Sequence, residues 1–200
     1  MPTQTQTKKK VNRDKCRVLT PKFRVSYPHV FKPQAPKPGD KLKYSITMLF
    51  PKNADLSGLK EAMKQAKIAA YGPNKSEWPS DLQSPVNDGD DPKYADNEGY
   101  KGHWVIKASS NEDQKPGVVD ENVEEILDQS KFYAGCYARA HLLATTWEYM
   151  KKHGVMFILD HVQKLGDGKA FGGKKPADQV FTPVNTDESF EESEGEEDFM

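Results

Sequence analysis

A strict alternation of side-chain types between residues 131 and 144 constrains this chain most strongly. Successive side chains of a β-strand point to opposite faces of the sheet, so a period of two indicates a strand with one buried face. The apolar positions of this pattern are Phe132, Ala134, Cys136, Ala138, Ala140, Leu142 and Ala144. Most of them are small, which suits the cramped interior of a closed barrel.

The remaining segments predict a mainly β chain. Strand signals occur in residues 16–31, 41–50, 103–108, 131–149 and 155–162. Apolar residues at helical spacing from Leu59 to Ala70, followed by Gly72-Pro73, predict one helix, and a weaker pattern predicts a second at 120–129. About five strands with one or two helices and long loops, of which 72–102 is the longest, predict a five-stranded OB-type barrel.

Several aromatic residues are expected to serve the core rather than a binding surface. Tyr27 and Phe31 fall on the same face of their strand as Phe23 and Val25, and Trp104 shares a face with Ile106. A tryptophan in the long polar loop, Trp78, is expected to be pinned against the barrel.

The polar face of the alternating strand is the first candidate site. It carries Lys131, Tyr133, Tyr137, Arg139 and His141. Cations interleaved with aromatic rings can follow a phosphate backbone and stack bases without reading sequence, so this face predicts contact with a single strand of nucleic acid. An ordinary solvated strand face is the alternative. The glycine-rich stretch that follows adds Lys169, Lys174 and Lys175 as candidate backbone contacts.

Charge is distributed very unevenly although the formal net charge is only −1. All 29 Lys and Arg residues lie at or before Lys175, and residues 1–186 contain 22 acids, whereas the last 14 residues contain eight acids and no cation. A basic body with an acidic tail indicates a polyanionic partner for which the tail can compete. Within the tail, Asp198 and Phe199 are the candidate docking pair for a protein partner, and a merely solubilising tail is the alternative.

The sequence gives no positive sign of catalysis or of a cofactor. The stretch 168–175 departs from the phosphate-loop pattern because Lys175 stands where a Ser or Thr should hold magnesium. The two cysteines and five histidines show no metal-ligand spacing, so we expect no metal. The acids between Asp88 and Glu98 leave a metal-dependent nuclease open as an alternative.

Composition sets the expected organisation and location. The mean hydropathy of −0.83 and the absence of an apolar run near 20 residues predict no membrane span, and two cysteines predict reduced thiols rather than a disulfide framework. We expect a disordered basic arm at 1–15, one binding domain at 16–180 and a disordered acidic tail at 181–200.

Two stretches carry a resemblance to a known family. GCYARAHLLATTW at 135–147 and GVMFILDHVQKLGDGKAFGG at 154–173, with YPHVF at 27–31, resemble a bacteriophage family formerly of unknown function and now regarded as OB-fold single-stranded DNA-binding proteins. The resemblance covers most of residues 16–175. It implies action in the cytoplasm of an infected bacterium. The tail is similar to those that recruit replication proteins, but Met200 follows Phe199 where such tails usually end on Phe.

The resulting hypothesis is a non-enzymatic, sequence-tolerant binder of single-stranded DNA for phage replication, recombination or repair. Its partners would be single-stranded DNA and, through the tail, replication or recombination proteins, with no membrane and no small-molecule substrate. The nuclease and an acidic-tailed structural or DNA-mimicking protein are the alternatives.

Overall fold

The computed structural model describes residues 13–172, and these contain eight strands and one α-helix. The strands are β1 (Arg17–Leu19), β2 (Phe23–Gln34), β3 (Lys43–Pro51), β4 (Val86–Asp88), β5 (His103–Asn111), β6 (Gly117–Val119), β7 (Tyr137–Tyr149) and β8 (Lys152–Gly166). The helix α1 (Ser57–Tyr71) lies between β3 and β4.

Five of the strands close into a ring. The pairings run β7–β2–β3–β5–β8 and return from β8 to β7, and every pair is antiparallel except β5 with β8. The short strands are added to this ring: β1 pairs with β7, β4 with β5 and β6 with β8. The prediction of a mainly β, five-stranded OB-type architecture is confirmed. The predicted acidic tail lies outside the described residues.

The core fills the ring as the alternation predicts. The inward side chains of β7, at Ala138, Ala140, Leu142 and Ala144, are at most 2% exposed, and Cys136 and Phe132 just before the strand are also buried. They share one cluster with large apolar residues of the other strands, among them Phe23, Ile46, Met48, Ile106, Phe157 and Leu159. Leu59, Ala62 and Ala66 place the apolar face of α1 on the same cluster.

Both cysteines are buried and neither forms a disulfide, which agrees with the expected reduced thiols. Burial raises the pKa of the Cys136 thiol and of the Cys16 thiol, so both favour the neutral form. No helix in residues 13–172 is long and apolar enough to cross a membrane.

Two element predictions are wrong. Residues 120–129 form turns instead of a helix, because the Asp120 carboxylate accepts the backbone N–H groups of Asn122 and Glu124 and Val123 has a φ of 68°. The strand predicted from Lys131 begins only at Tyr137, after a short 3-10 helix at Gln129–Lys131 that is capped by the Asp128 side chain. Phe132 and Cys136 are buried as predicted, although neither residue belongs to a β-strand.

A third correction concerns Tyr27, which is exposed rather than part of the core. The register between β2 and β3 shifts after Ser26 and resumes at His29, so a bulge interrupts the alternation. Tyr27 takes a φ of 44° there and is 55% exposed. Phe31, beyond the bulge, packs against the core as expected, with its ring 6.3 Å from that of Phe132.

Of the two tryptophans with a predicted place, Trp104 lies as expected, whereas Trp78 is held by the helix and not by the barrel. Trp104 packs against the core, and Lys52 Nζ lies 3.8 Å from its ring centroid. Trp78 is half-buried: its indole N–H donates to the Gly72 carbonyl at 2.9 Å and Lys67 lies over its ring. Trp78 is therefore held against the end of α1.

Candidate nucleic-acid interface

A groove of about 500 Å³ runs over the outer face of β3 and β5. The two strands pair in continuous antiparallel register, which sets Ser45 opposite Ser109 and Thr47 opposite Lys107 on this face. In OB-type barrels the second and third strands of the ring carry the oligonucleotide, and β3 and β5 occupy those places here. We name this surface the β3–β5 groove; its lining includes Tyr27, His29, Lys43, Ser45, Thr47, Asn87, Tyr94, Tyr100, Lys107 and Ser109.

Tyr27 is the exposed aromatic side chain of the groove. Its backbone lies in the left-handed region, which costs a residue other than glycine about 1–3 kcal/mol and is found where the surrounding structure enforces it. The bulge in β2 enforces it here, and the result is a ring that stands at the groove rather than in the core. An exposed ring of this kind can stack a base.

Tyr94 and Tyr100 line the groove beside β5. Their ring centroids are 5.2 Å apart, and Lys93 Nζ lies 4.9 Å from the ring of Tyr94. Tyr100 is only 3% exposed and packs with Leu49 and Val105 in a second small apolar cluster under the groove. Tyr100 therefore supports the groove floor, while Tyr94 is the more accessible ring.

The electrostatics of the groove favour an anion. Its lining contains two lysines, Lys43 and Lys107, and no carboxylate. His29 lies with them; burial, and secondly the nearby Lys107 cation, lower the pKa of its imidazole below the usual 6.5. At neutral pH His29 is therefore mostly uncharged and can offer a flat ring as well as a hydrogen-bonding nitrogen.

The segment after β8 lies next to the groove. Phe171 N donates to the Ala134 carbonyl at 2.9 Å, and Gly172 N donates to the Glu98 carboxylate at 2.8 Å. Phe171 joins the small cluster under the groove and lines a second cleft together with Tyr27. The described chain therefore ends beside the β3–β5 groove.

Arg24 connects this segment to the start of β7. Its guanidinium lies 4.4 Å from the ring centroid of Phe171 and 5.5 Å from that of Tyr137, and it donates to the carbonyls of Gly135 and Lys169. Lys22 Nζ also lies over the ring of Tyr137, 5.2 Å from its centroid. A cationic and aromatic surface thus continues from the groove to the beginning of β7.

The residues predicted from the polar face of the alternating strand fall into two groups. Tyr133, Tyr137 and Lys169 lie together near the start of β7, whereas Arg139 and His141 lie farther along its outer face. Lys131 is exposed in the short 3-10 helix. Lys174, Lys175, Asp198 and Phe199 lie outside the described residues.

Internal contacts already engage most of this face. The Tyr133 hydroxyl lies 3.1 Å from Asp167 Oδ1 and 3.0 Å from the Gly168 carbonyl, and burial raises the pKa of its phenol. Arg139 Nε donates to Gln163 at 2.8 Å. His141 Nδ1 lies 3.1 Å from Asp160 Oδ2, at a bulge where Asp160 is the extra residue of β8.

Sequence reasoning missed the β3–β5 groove. The alternation along β3 buries Tyr44 and Ile46, and the sequence-based prediction gave no weight to Lys43, Ser45 and Thr47, which alternate with them. A signal was available, because the second and third strands of an OB-type ring are the usual binding face. Tyr27 had no such signal, since a bulge breaks the period on which the prediction rested.

The acidic loop makes internal bonds. Lys52 Nζ pairs with Asp88 and with Asp90, and Asp90 also accepts the Gly102 N–H at 2.7 Å. The hydrogen bond from Lys52 lowers the pKa of the Asp88 carboxyl. Within residues 13–172 no three His, Cys, Asp or Glu side chains are grouped so as to hold a metal ion.

Comparison with known proteins follows the same direction as this geometry. A family model described as the ssDNA-binding protein of Enterobacter phage Enc34 matches residues 16–198. No curated protein matches the chain.

Solved structures of phage proteins share the fold. The single-stranded DNA-binding protein of bacteriophage Enc34, in complex with ssDNA, is 26% identical, with a TM-score of 0.64 over 78% of this chain and 89% of that one. Another structure of the Enc34 protein is 24% identical, with a TM-score of 0.60 over 82% and 90%. The gp2.5 single-stranded DNA-binding protein of bacteriophage T7 has a TM-score of 0.57 at 15% identity over 80% and 90%, a likeness of fold alone. By the extent of the family match, this chain belongs to the family of the Enterobacter phage Enc34 ssDNA-binding protein.

Proposed function

We propose that this protein binds single-stranded DNA without strong sequence preference, is not an enzyme, and serves phage DNA replication, recombination or repair in the cytoplasm of the infected host. The observation that carries the proposal is the β3–β5 groove, in which Tyr27, Tyr94, Lys43 and Lys107 lie together with no carboxylate. Aromatic rings accept any base by stacking and lysines neutralise phosphates, so the groove matches the polymer rather than a sequence. The Enc34 relative in complex with ssDNA supports the same partner.

We place the path of the strand across both cationic surfaces. From the β3–β5 groove it would pass Tyr27 and Arg24 to Tyr137, with Lys131, Tyr133, Arg139, His141 and Lys169 as further contacts along the outer face of β7 and the segment after β8. Lys174 and Lys175 would add charge beyond that segment. The groove is the primary contact because its polar groups are less engaged by internal bonds than those of β7.

Titration of fluorescent oligonucleotides tests the proposal. Tyr27→Ala should weaken single-strand binding by roughly 1–3 kcal/mol, the usual worth of one stacked base, whereas Tyr149→Ala should leave it unchanged. Tyr149 is a matched control because its ring is also exposed, at 67%, but lies at the β7–β8 turn away from the groove lining. Equal affinities of the two variants, or a strong preference for one oligonucleotide over its scrambled forms, would contradict the proposal.

The acidic tail would act twice, as a competitor of DNA and as the element that recruits replication or recombination proteins through Asp198 and Phe199. Its eight acids are tethered to a chain end beside the groove, and a tether can raise the effective concentration to roughly millimolar. Deletion of residues 187–200 should therefore tighten DNA binding, most clearly at low salt. Equal affinity of full-length and truncated protein at low salt would remove the competitor role.

A nuclease remains the alternative in another class, and one incubation decides it. Labelled single strands kept with the protein and magnesium should stay intact. The internal bonds of Asp88 and Asp90 to Lys52 favour this outcome, because these carboxylates serve the loop.

A further inference from the structure

An apolar cleft of about 270 Å³ lies between α1 and the outer face of β7 and β8, and it shares no lining residue with the β3–β5 groove. Ala66, Ala69 and Ala70 line it from the helix, and Leu143 and Ile158 line it from the strands. Alanine on the facing turns of α1 leaves the space that a larger side chain would fill. We name this surface the helix cleft.

A basic surface borders the helix cleft. A second cleft, of about 510 Å³, shares Arg13, Leu143 and Ile158 with it and also contains Arg17, Lys115, His141 and His161. One carboxylate, Asp160, lies in this second cleft and pairs with Arg17 and His141. In the described part of the chain, Arg13 and Lys115 pair with no carboxylate. Lys8, Lys9 and Lys10 precede Arg13 in the sequence.

We propose that the end of the acidic tail docks here, with Phe199 in the helix cleft and Asp198 and the neighbouring acids against Arg13 and Lys115. The tail supplies what the cleft lacks: the aromatic ring of Phe199, next to the carboxylate of Asp198, in a segment of eight acids and no cation. The basic arm before Arg13 is a poorer occupant because its lysines would meet the basic border.

The length of the tail allows docking within one molecule. Gly168 lies against the ring of Tyr137, and eight residues of β7, about 26 Å, separate Tyr137 from Thr145 at the helix cleft. The 26 residues from 173 to 198 can span up to about 85 Å. The acids upstream of Phe199 would remain able to reach the β3–β5 groove. The docked end therefore does not depend on the proposed competition with DNA.

The test uses methyl NMR on the full-length protein. Phe199→Ala should shift the methyl signals of Leu143 and Ile158 and leave those of the ring interior, such as Val25, unchanged. Phe190→Ala is the matched control, since Phe190 is the other aromatic residue of the acidic stretch and should have no effect. In an Arg13→Glu, Lys115→Glu background the signals should already have the Phe199→Ala positions.

Four outcomes would overturn the proposal. Unchanged Leu143 and Ile158 signals, or equal shifts from Phe190→Ala, would show that Phe199 does not occupy the cleft. Shifts confined to groove residues such as Val105 would place the tail in the β3–β5 groove, which would uphold the competition and reject this site. Shifts that fade on dilution would assign the cleft to the tail of a second copy.

Discussion

The outer face of β7 and the β3–β5 groove contain the same kinds of residues but differ in how many of their polar groups are already engaged. Just before β7 and along it, Tyr133 and Arg139 are bonded to Asp167, Gly168 and Gln163. In the groove, Tyr27 is exposed and Lys107 makes no ion pair within the described residues. Composition alone therefore does not distinguish a binding surface from one that ties strands together.

The contrast between the two faces of β7 gives the largest expected effect. Leu142 is fully buried in the ring, so Leu142→Ala should destabilise the protein by about 2–5 kcal/mol through lost burial and a cavity. Tyr137 lies on the opposite, outer face of the same strand, so Tyr137→Ala should lower the free energy of unfolding much less. Urea unfolding followed by circular dichroism measures both, and the reverse order would mean that the strand is turned inside out.

The role of Tyr133 gives the next effect. Tyr133→Phe removes the hydroxyl that bonds Asp167 and Gly168 while keeping the ring, so we expect a loss of about 1 kcal/mol in unfolding free energy and unchanged affinity for single strands. Tyr149→Phe, whose hydroxyl is exposed, is the control. If Tyr133→Phe kept its full stability but bound DNA weakly, the hydroxyl of Tyr133 would serve DNA binding, and the contrast between the two surfaces would be wrong.

Much of the fold, but less of the site, follows from the sequence. The period of two places Ala138, Ala140 and Leu142 correctly because ladder geometry repeats wherever the strand is regular. It fails at Tyr27, where a bulge moves one residue out of phase, and at Asp120, where a carboxylate ties a turn in a segment of weak helical pattern. The bulge depends on how β2 pairs with β3, and the turn depends on one side-chain hydrogen bond; the periodicity of the local sequence indicates neither.

The groove was missed for a related reason. Lys43, Ser45 and Thr47 are unremarkable in sequence, and they become a surface only when β5 pairs alongside β3 and sets Lys107 and Ser109 opposite them. The face of β7, by contrast, has its aromatic and basic residues in one continuous stretch. A prediction from sequence favours such a stretch because it can compare residues that are neighbours along the chain, but not residues that strand pairing brings together.

The salt dependence of DNA binding should differ between variants of the two surfaces, and this effect is smaller than the two changes in stability above. Each phosphate that a cation neutralises on a single strand contributes about −0.7 to the slope of log affinity against log salt. Lys107→Gln should therefore make the slope shallower by about 0.7, whereas Arg139→Gln should change it less because Arg139 is already bonded to Gln163. Titrations at four salt concentrations give both slopes. A larger change from Arg139 would make β7 the principal contact.

The smallest expected effect is a pH dependence centred on His29. Its folded pKa lies below the usual 6.5 because the imidazole is partly buried and because Lys107 is near, so the folded protein binds fewer protons at this site than the unfolded chain does. Above pH 6.5 the site therefore has no effect on stability, and as the pH falls below 6.5 toward the lowered folded pKa the protein loses stability.

Bound DNA should raise the pKa of His29 again, because a phosphate in the groove favours the charged imidazole. Single-strand affinity should therefore rise between pH 7.5 and 5.5 by less than about 1 kcal/mol in the unmodified protein. The informative quantity is the difference from His29→Gln, in which both the acid-side loss of stability and the gain in affinity should be smaller. An identical pH profile of the two proteins would remove His29 from the groove contacts and leave the aromatic rings and lysines to account for binding.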